Sequence, residues 1–264
     1  MLYQKMSLAD ELVVKDNSFN WNDKIIIAGP CTFKNFEELY KIAFELNKRG
    51  IKFLRAGAYK MRTNPDSFQG LGDEGIEMLL RIKKELNMYI VTEITTIEQV
   101  QKYGDKIDII QIGSRNMFNY ELLKAVGRTS TPVLLKRGFC ASYHEWLLAA
   151  EYILREGNSN VILCERGIRN NISNETRNIL DIQAIPYIKN NTNFRILIDP
   201  SHSSGKSYMV ESMSKASLVA GADGLLIETH FSPEESMCDS EQTINFDILD
   251  KILDFKERII EYEN

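Results

Sequence analysis

Eight short apolar runs, each followed by an amphipathic stretch, limit what this chain can fold into more than any other feature. The runs are Ile25-Ile-Ile-Ala28, Ile51-Lys-Phe-Leu54, Tyr89-Ile-Val91, Ile107 to Ile112, Val133-Leu-Leu135, Val161-Ile-Leu163, Ile196-Leu-Ile198 and Leu225-Leu-Ile227. They are β-branched and nearly continuous rather than alternating, as expected of parallel strands buried on both faces. Helical periodicity fills the gaps. Phe36, Leu39, Tyr40 and Ala43 share one face behind an Asn35 cap, and Ile76, Leu79, Leu80, Lys83 and Leu86 follow Asp73. Ser142 to Glu145 reads as a capping box opening a helix through Leu147, Ala150 and Ile153. Met209, Met213, Ala216 and Ala220 form another stripe, expected to fill core. A last helix carries Ile248, Leu249, Ile252 and Phe255.

Eight such units in succession predict an α/β chain folded as a (β/α)8 barrel over residues 24–264. Residues 1–23 read as a short N-terminal extension, with Leu8, Leu12 and Val13 covering one end of the core. A length of 264 residues with 44% hydrophobic content suits one domain of this kind. The rival, a doubly wound open sheet, needs a switch point, and no G-x-G-x-x-G follows the first run. The Asn-rich stretch between Arg166 and Tyr187 is the loosest part and is expected to form a long active-site loop.

Charge and cysteines narrow the function. A net charge of −5 argues against nucleic acid or a membrane surface as partner. No stretch approaches the roughly 18 apolar residues of a membrane span. The four cysteines show no C-x-x-C spacing, and the first residues lack a targeting pattern, so reduced thiols in the cytoplasm are expected.

Barrel enzymes place their chemistry where strands end at the C-terminal face. Here the runs end in Gly29-Pro-Cys31, Arg55, Thr92-Glu93, Gln111 with Arg115, Lys136-Arg137, Glu165-Arg166, Asp199-Pro-Ser-His202 and Glu228-Thr-His230. The most basic segment, Arg55-Ala-Gly-Ala-Tyr-Lys60-Met-Arg62-Thr63, sets three cations just past a buried run. Cations there are costly unless an anion meets them. Arg55, Lys60, Arg62, Arg115, Lys136 and Arg166 would converge on one mouth and suit two anionic groups or more. Cys31, His202, Glu228 and Asp239 offer a thiolate, an imidazole and two carboxylates, a set that suits a divalent metal. Taken singly, Cys31 also reads as packing, His202 as a hydrogen-bonding loop residue and Asp239 as a turn residue. His230, two residues after Glu228, reads as a supporting or structural residue.

These residues resemble a known family, the 3-deoxy-D-arabino-heptulosonate 7-phosphate (DAHP) synthases, in the short type I form. The matching stretches are Ala28-Gly-Pro-Cys31, Arg55 to Thr63, Ser67-Phe-Gln-Gly-Leu-Gly72, Gln111-Ile-Gly-Ser-Arg-Asn116, Leu135-Lys-Arg-Gly138, Ile162 to Gly167, Asp199-Pro-Ser-His202 with Gly205-Lys206, and Gly221-Ala-Asp-Gly224 running to Glu228. The resemblance implies condensation of phosphoenolpyruvate with erythrose 4-phosphate and release of phosphate, at the head of the shikimate pathway and aromatic amino acid and chorismate biosynthesis. Carried over by position, Arg55, Lys60, Arg115, Lys136 and Arg166 hold phosphoenolpyruvate, and Arg62 and Thr63 hold the other phosphate. Cys31, His202, Glu228 and Asp239 bind Mn2+, Fe2+, Co2+ or Zn2+. Lys60, Cys31 and His202 are the expected catalytic residues. By analogy the chain is a homo-oligomer, a dimer or tetramer. Two departures stand out. Met61 replaces a proline usual in the family, which frees a backbone angle, and Ser114 stands where Ala is more usual. No fused regulatory domain is visible, so feedback control is expected only through a separate subunit. The nearest alternative is a 3-deoxy-D-manno-octulosonate 8-phosphate synthase using arabinose 5-phosphate. Its Lys-Ala-Asn-Arg-type stretch differs from Lys60-Met-Arg-Thr63. A non-catalytic barrel binding a phosphometabolite is the alternative of another class.

Overall fold

The structure, a computed structural model, describes residues 11–14, 17–20, 24–169 and 175–263. A two-stranded antiparallel hairpin comes first, β1 (Glu11–Val14) and β2 (Asn17–Asn20). Of the three residues expected to cover the core, Leu8 lies outside the described residues, and only the backbone of Leu12 and Val13 is described, in β1.

Eight parallel strands then close on themselves: β3 (Ile25–Gly29), β4 (Phe53–Arg55), β5 (Tyr89–Glu93), β6 (Ile109–Ile112), β7 (Val133–Lys136), β8 (Val161–Glu165), β9 (Arg195–Ile198) and β10 (Gly224–Glu228). Gly224 pairs with Ile25 and Glu228 with Gly29, which joins last strand to first and rules out the open sheet. Between strands run α1 (Phe36–Lys48), α2 (Asp73–Leu86), α3 (Ile97–Tyr103), α4 (Tyr120–Gly127), α5 (Tyr143–Arg155), α6 (Ala184–Asn191), the short α7 (Pro200–Ser204) and α8 (Ser207–Val219), and α9 (Phe246–Glu263) follows β10. The fold is the expected (β/α)8 barrel.

Side chains alternate across each strand, so two cores form. Ile25, Ile27, Phe53, Val91, Ile109, Leu134, Ile162, Cys164, Leu197 and Leu226 fill the barrel. The opposite parity, including Ile26, Leu54, Ile90, Ile110, Leu135, Leu163 and Leu225, packs outward on the helices. Burying each such side chain contributes about 1.5–3 kcal/mol. The Asn35 cap accepts from Glu38 N at 2.9 Å, and Ser142 and Glu145 form the full capping box.

Three expectations need correction. The run from Ile51 becomes strand only at Phe53, after exposed Lys52. The run from Ile107 becomes strand only at Ile109; just before it, buried Asp108 donates from its backbone N to Ile90 O (3.2 Å) while its carboxylate accepts from Ile90 N (2.8 Å) and Lys83 Nζ (2.7 Å). The buried face of α8 is Val210, Ser214, Ser217 and Leu218, while Met209 and Met213 are half-buried. Serines make a thin face, and Ser217 satisfies its hydroxyl on Met213 O at 2.7 Å. No helix among the described residues is long and apolar enough to cross a membrane.

Candidate active site

The inward parity that fills the barrel continues to its mouth. Phe53 leads to Arg55, Val91 to Glu93, Ile109 to Gln111, Leu134 to Lys136, Cys164 to Arg166 and Leu197 to Asp199. Arg55, Glu93, Gln111, Lys136 and Arg166 line a cavity of about 290 Å³, with Lys60, Arg62, Thr63 and Arg115 supplied by loops. All six predicted cations therefore meet at one cavity. They lie at two depths. Arg55, Lys136 and Arg166 are buried, whereas Arg115 and Thr63 are exposed at the rim and share a 3.2 Å hydrogen bond. Met61 is tied to the same rim, its sulfur accepting from Asn116 Nδ2 at 3.0 Å.

The deep cations differ in their partners. Arg55 donates to Glu228 Oε1 and Pro30 O, both at 2.9 Å, but its buried Nε has no hydrogen-bond partner among the described residues. Lys136 sits 2.6 Å from Asp199 Oδ2. Arg166 makes no ion pair among the described residues; its guanidinium lies 4.7 Å from the Phe139 ring. Burial, with Arg177 nearby, pushes it down to about 10. A buried cation in that state favours an incoming anion.

A second group gathers beside these cations. Gly29 brings β3 close to β4, since a Cβ there would lie 2.0 Å from Arg55 O. Cys31 follows, fully buried, with Sγ 3.0 Å from both Asp239 Oδ2 and Lys60 Nζ. Asp199 caps α7 by accepting from His202 N (2.9 Å) and bonds the ring through Nδ1 (2.7 Å). That leaves His202 Nε2 directed to Glu228 Oε1, 3.3 Å away. Asp239 holds a left-handed backbone, φ 56°, which Asp tolerates better than most residues. Cys31, Glu228 and Asp239 each present a ligand atom within 4.8 Å of the others, and His202 stands one step outside this set.

The electrostatics show what the group lacks. The contact with Cys238, then burial, then Glu228 push the Cys31 thiol well above its ordinary value. Burial raises the Glu228 carboxyl, but His202 and Arg55 bring it below its ordinary range. Burial lowers His202, against the pull of Asp199 and Glu228. Lys60 is lowered by burial, yet Cys31, Glu228 and Glu93 outweigh this and set it above its ordinary value. Three potential anions crowd one point, and a divalent cation is the charge that would relieve them. The donor set of sulfur and oxygen with nitrogen adjacent fits such an ion.

Some strand-end residues do not belong here. Arg137 and Glu165 have outward parity and pair with each other at 3.0 Å behind the barrel wall. His230 also turns away. Its Nδ1 accepts from Ser232 N (3.0 Å), and Nε2 lies 3.4 Å from Glu38 Oε1. Conversely, three residues that no sequence pattern marks, Arg177, Phe139 and Gln242, do belong here. Arg177 and Phe139 line the cavity, and Gln242 Nε2 donates to Glu228 Oε2 at 2.5 Å. Arg177 falls in the loop expected at the site, of which residues 170–174 lie outside the described ones. Glu93 stands over Gly113, where any Cβ would come within 2.1 Å of its Oε1.

Comparison with known proteins places this geometry. The model of the DAHP synthetase I family matches residues 13–262. The phospho-2-dehydro-3-deoxyheptonate aldolase of Thermotoga maritima is 45% identical over 228 residues, 86% of this chain and 67% of that protein. A crystal structure of a Thermotoga maritima protein of that name superposes with a TM-score of 0.91 at 41% identity, covering 97% of this chain and 74% of the other. A 2-dehydro-3-deoxyphosphooctonate aldolase from Geobacter sulfurreducens is more distant, 29% identical over 247 residues, 87% of this chain and 89% of that protein. The chain belongs to the DAHP synthetase I family.

Proposed function

We propose that the chain is a metal-dependent 3-deoxy-7-phosphoheptulonate synthase that joins phosphoenolpyruvate to erythrose 4-phosphate, adds water and releases phosphate. The observation that carries the reading is the cationic cavity, in which buried Arg166 lacks a carboxylate partner among the described residues, beside the thiol–carboxylate cluster. Phosphoenolpyruvate bears a carboxylate and a phosphate on three carbons, so it needs several fixed cations. Arg55, Lys136 and Arg166 are the deep ones and Lys60 and Arg115 complete the grip. Arg62 and Thr63, on the loop after β4, receive the phosphate of the aldehyde partner. Holding both reactants in one geometry supplies much of the rate.

Cys31, His202, Glu228 and Asp239 would hold the metal. When bound, Mn2+, Fe2+, Co2+ or Zn2+ supplies Lewis acidity that polarises the aldehyde. As C3 of phosphoenolpyruvate bonds the aldehyde carbon, Lys60, kept protonated by its anionic neighbours, gives its proton to the new alkoxide. Positive charge then develops at C2. Glu93, facing the same cavity, accepts a proton from the water that attacks there. The C2 hydroxyl then returns a proton to Lys60 as its oxygen forms the ketone, the carbon–oxygen bond to phosphate breaks, Glu93 gives its proton to the departing phosphate, and the deep cations hold that phosphate. We further infer a cytoplasmic homo-oligomer, dimer or tetramer, with no nucleic-acid or membrane partner. Four free cysteines fit that setting.

The test gives metal-loaded protein phosphoenolpyruvate with either erythrose 4-phosphate or arabinose 5-phosphate and follows the enolpyruvate absorbance. Loss with the four-carbon sugar, abolished by chelator and restored by metal, is expected. Loss with the five-carbon sugar alone overturns the reading.

A further inference from the structure

Arg177 is held at the site by more than its own side chain. Its backbone N donates to Ser204 O (3.0 Å), and the next residue, Asn178, donates from N to Ser203 O (2.9 Å) and from Nδ2 to His202 O (2.9 Å). All three carbonyls belong to α7, the turn that presents His202. Two glycines admit the segment. A Cβ at Gly205 would lie 2.5 Å from Arg177 Cβ, and one at Gly167 would lie 2.8 Å from Asn178 Cβ.

From this seat Arg177 Nη1 donates to Asp239 Oδ1 (3.1 Å) and to Gln242 Oε1 (2.8 Å). Buried Gln242 passes the constraint on, its Nε2 donating to Glu228 Oε2 at 2.5 Å. The oxygens divide between two sides, with Arg62 Nη1 a further 3.9 Å from Asp239 Oδ2. Oδ1 of Asp239 and Oε2 of Glu228 are taken by Arg177 and Gln242. Oδ2 of Asp239 faces Cys31, and Oε1 of Glu228 faces His202 and Arg55. One guanidinium nitrogen therefore anchors both carboxylates, one directly and one through an amide.

Resting on the metal-site reading above, we propose that Arg177 and Gln242 are positioning residues for the metal centre. They engage the outer oxygen of each carboxylate and so present Asp239 Oδ2 and Glu228 Oε1 to the ion. Partners in this position commonly hold ligands in place without touching the metal. Charge alone predicts the opposite result, which makes the idea testable by sign. A cation beside the site repels a second cation, so removing Arg177 would tighten metal binding if only Coulomb repulsion mattered.

The experiment titrates Co2+ into metal-free wild type, Arg177→Met, Gln242→Met and Arg177→Lys. It follows thiolate-to-cobalt charge-transfer absorption and measures bound metal by equilibrium dialysis. Arg177→Met and Gln242→Met should each weaken Co2+ binding by about 10- to 100-fold. The double variant should lose less than the product of the two, because both act through one bridge. Arg177→Lys, which keeps donors for both acceptors, should recover part of the loss. Unchanged or tighter Co2+ binding in Arg177→Met, with the melting transition of the metal-free protein intact, overturns the positioning role. A wild type that shows neither charge-transfer band nor bound Co2+ overturns the metal reading itself.

Discussion

Lys136-Arg137 and Glu165-Arg166 are two pairs of chain neighbours that send their charges to opposite sides of the barrel wall. Lys136 and Arg166 point inward to the cavity, while Arg137 and Glu165 point outward under the helices. The outer cluster finds its partners internally. Arg137 Nη1 meets Glu165 Oε2 at 3.0 Å and Asp181 Oδ2 at 2.7 Å, and Tyr143 donates to Asp181 at 2.7 Å. Gly167 N adds a bond to Glu165 Oε1 at 2.6 Å. The inner cluster is left with positive charge in excess, since Arg166 has no carboxylate of its own among the described residues. Equal burial thus has two outcomes. Where partners are internal, charge serves the fold; where a partner is missing, charge awaits a ligand.

The contrast can be broken from either side. The largest effect is expected outside the cavity. Arg137→Met leaves Glu165 and Asp181 facing each other without their cation, and should cost about 3–5 kcal/mol in a denaturant titration. If stability is unchanged, the outer cluster is not structural. Next, Arg166→Met should lower kcat/KM for phosphoenolpyruvate by about 10²–10³-fold without lowering the melting temperature. A loss of stability with activity per folded molecule retained would erase the distinction between the clusters. Glu165→Gln should be the mildest, within about 1 kcal/mol at neutral pH. Burial raises the Glu165 carboxyl above its ordinary value of 4.5, even beside Arg137. Its folded value then exceeds its unfolded one. That contribution is fully present below 4.5 and is lost as the pH rises through the folded value. The difference between wild type and Glu165→Gln should therefore change over that interval and level off above it, as read from stability measured at several pH values.

Much of this was legible from residues alone. Continuous β-branched runs can hardly be other than buried strands, so Ile25 to Ala28 and its seven counterparts gave the barrel. The metal-type set and the cations were also visible, because each stands at the end of such a run. The side to which each polar end points takes a further step. Counting by twos from Leu134 or Cys164 would have sorted Lys136 from Arg137 and Arg166 from Glu165. Arg177 offered only its place in an Asn-rich loop, where no periodicity applies. Gln242 carries no charge and sits in no regular element, so nothing local marks its bond to Glu228. The serine face of α8 was hidden because serine looks polar in the sequence even where, as at Ser217, its hydroxyl is satisfied within its own helix.

The seat of Glu93 above Gly113 bears on how this mouth would respond to a library of substitutions. Alanine is ordinarily the gentlest replacement, yet at 113 its methyl would displace a carboxylate oxygen that otherwise stands 2.1 Å from it. Adding one carbon there should disturb the cavity more than trimming an exposed rim side chain such as Thr63. A scan read only by the size of each change would rank these two positions the wrong way round.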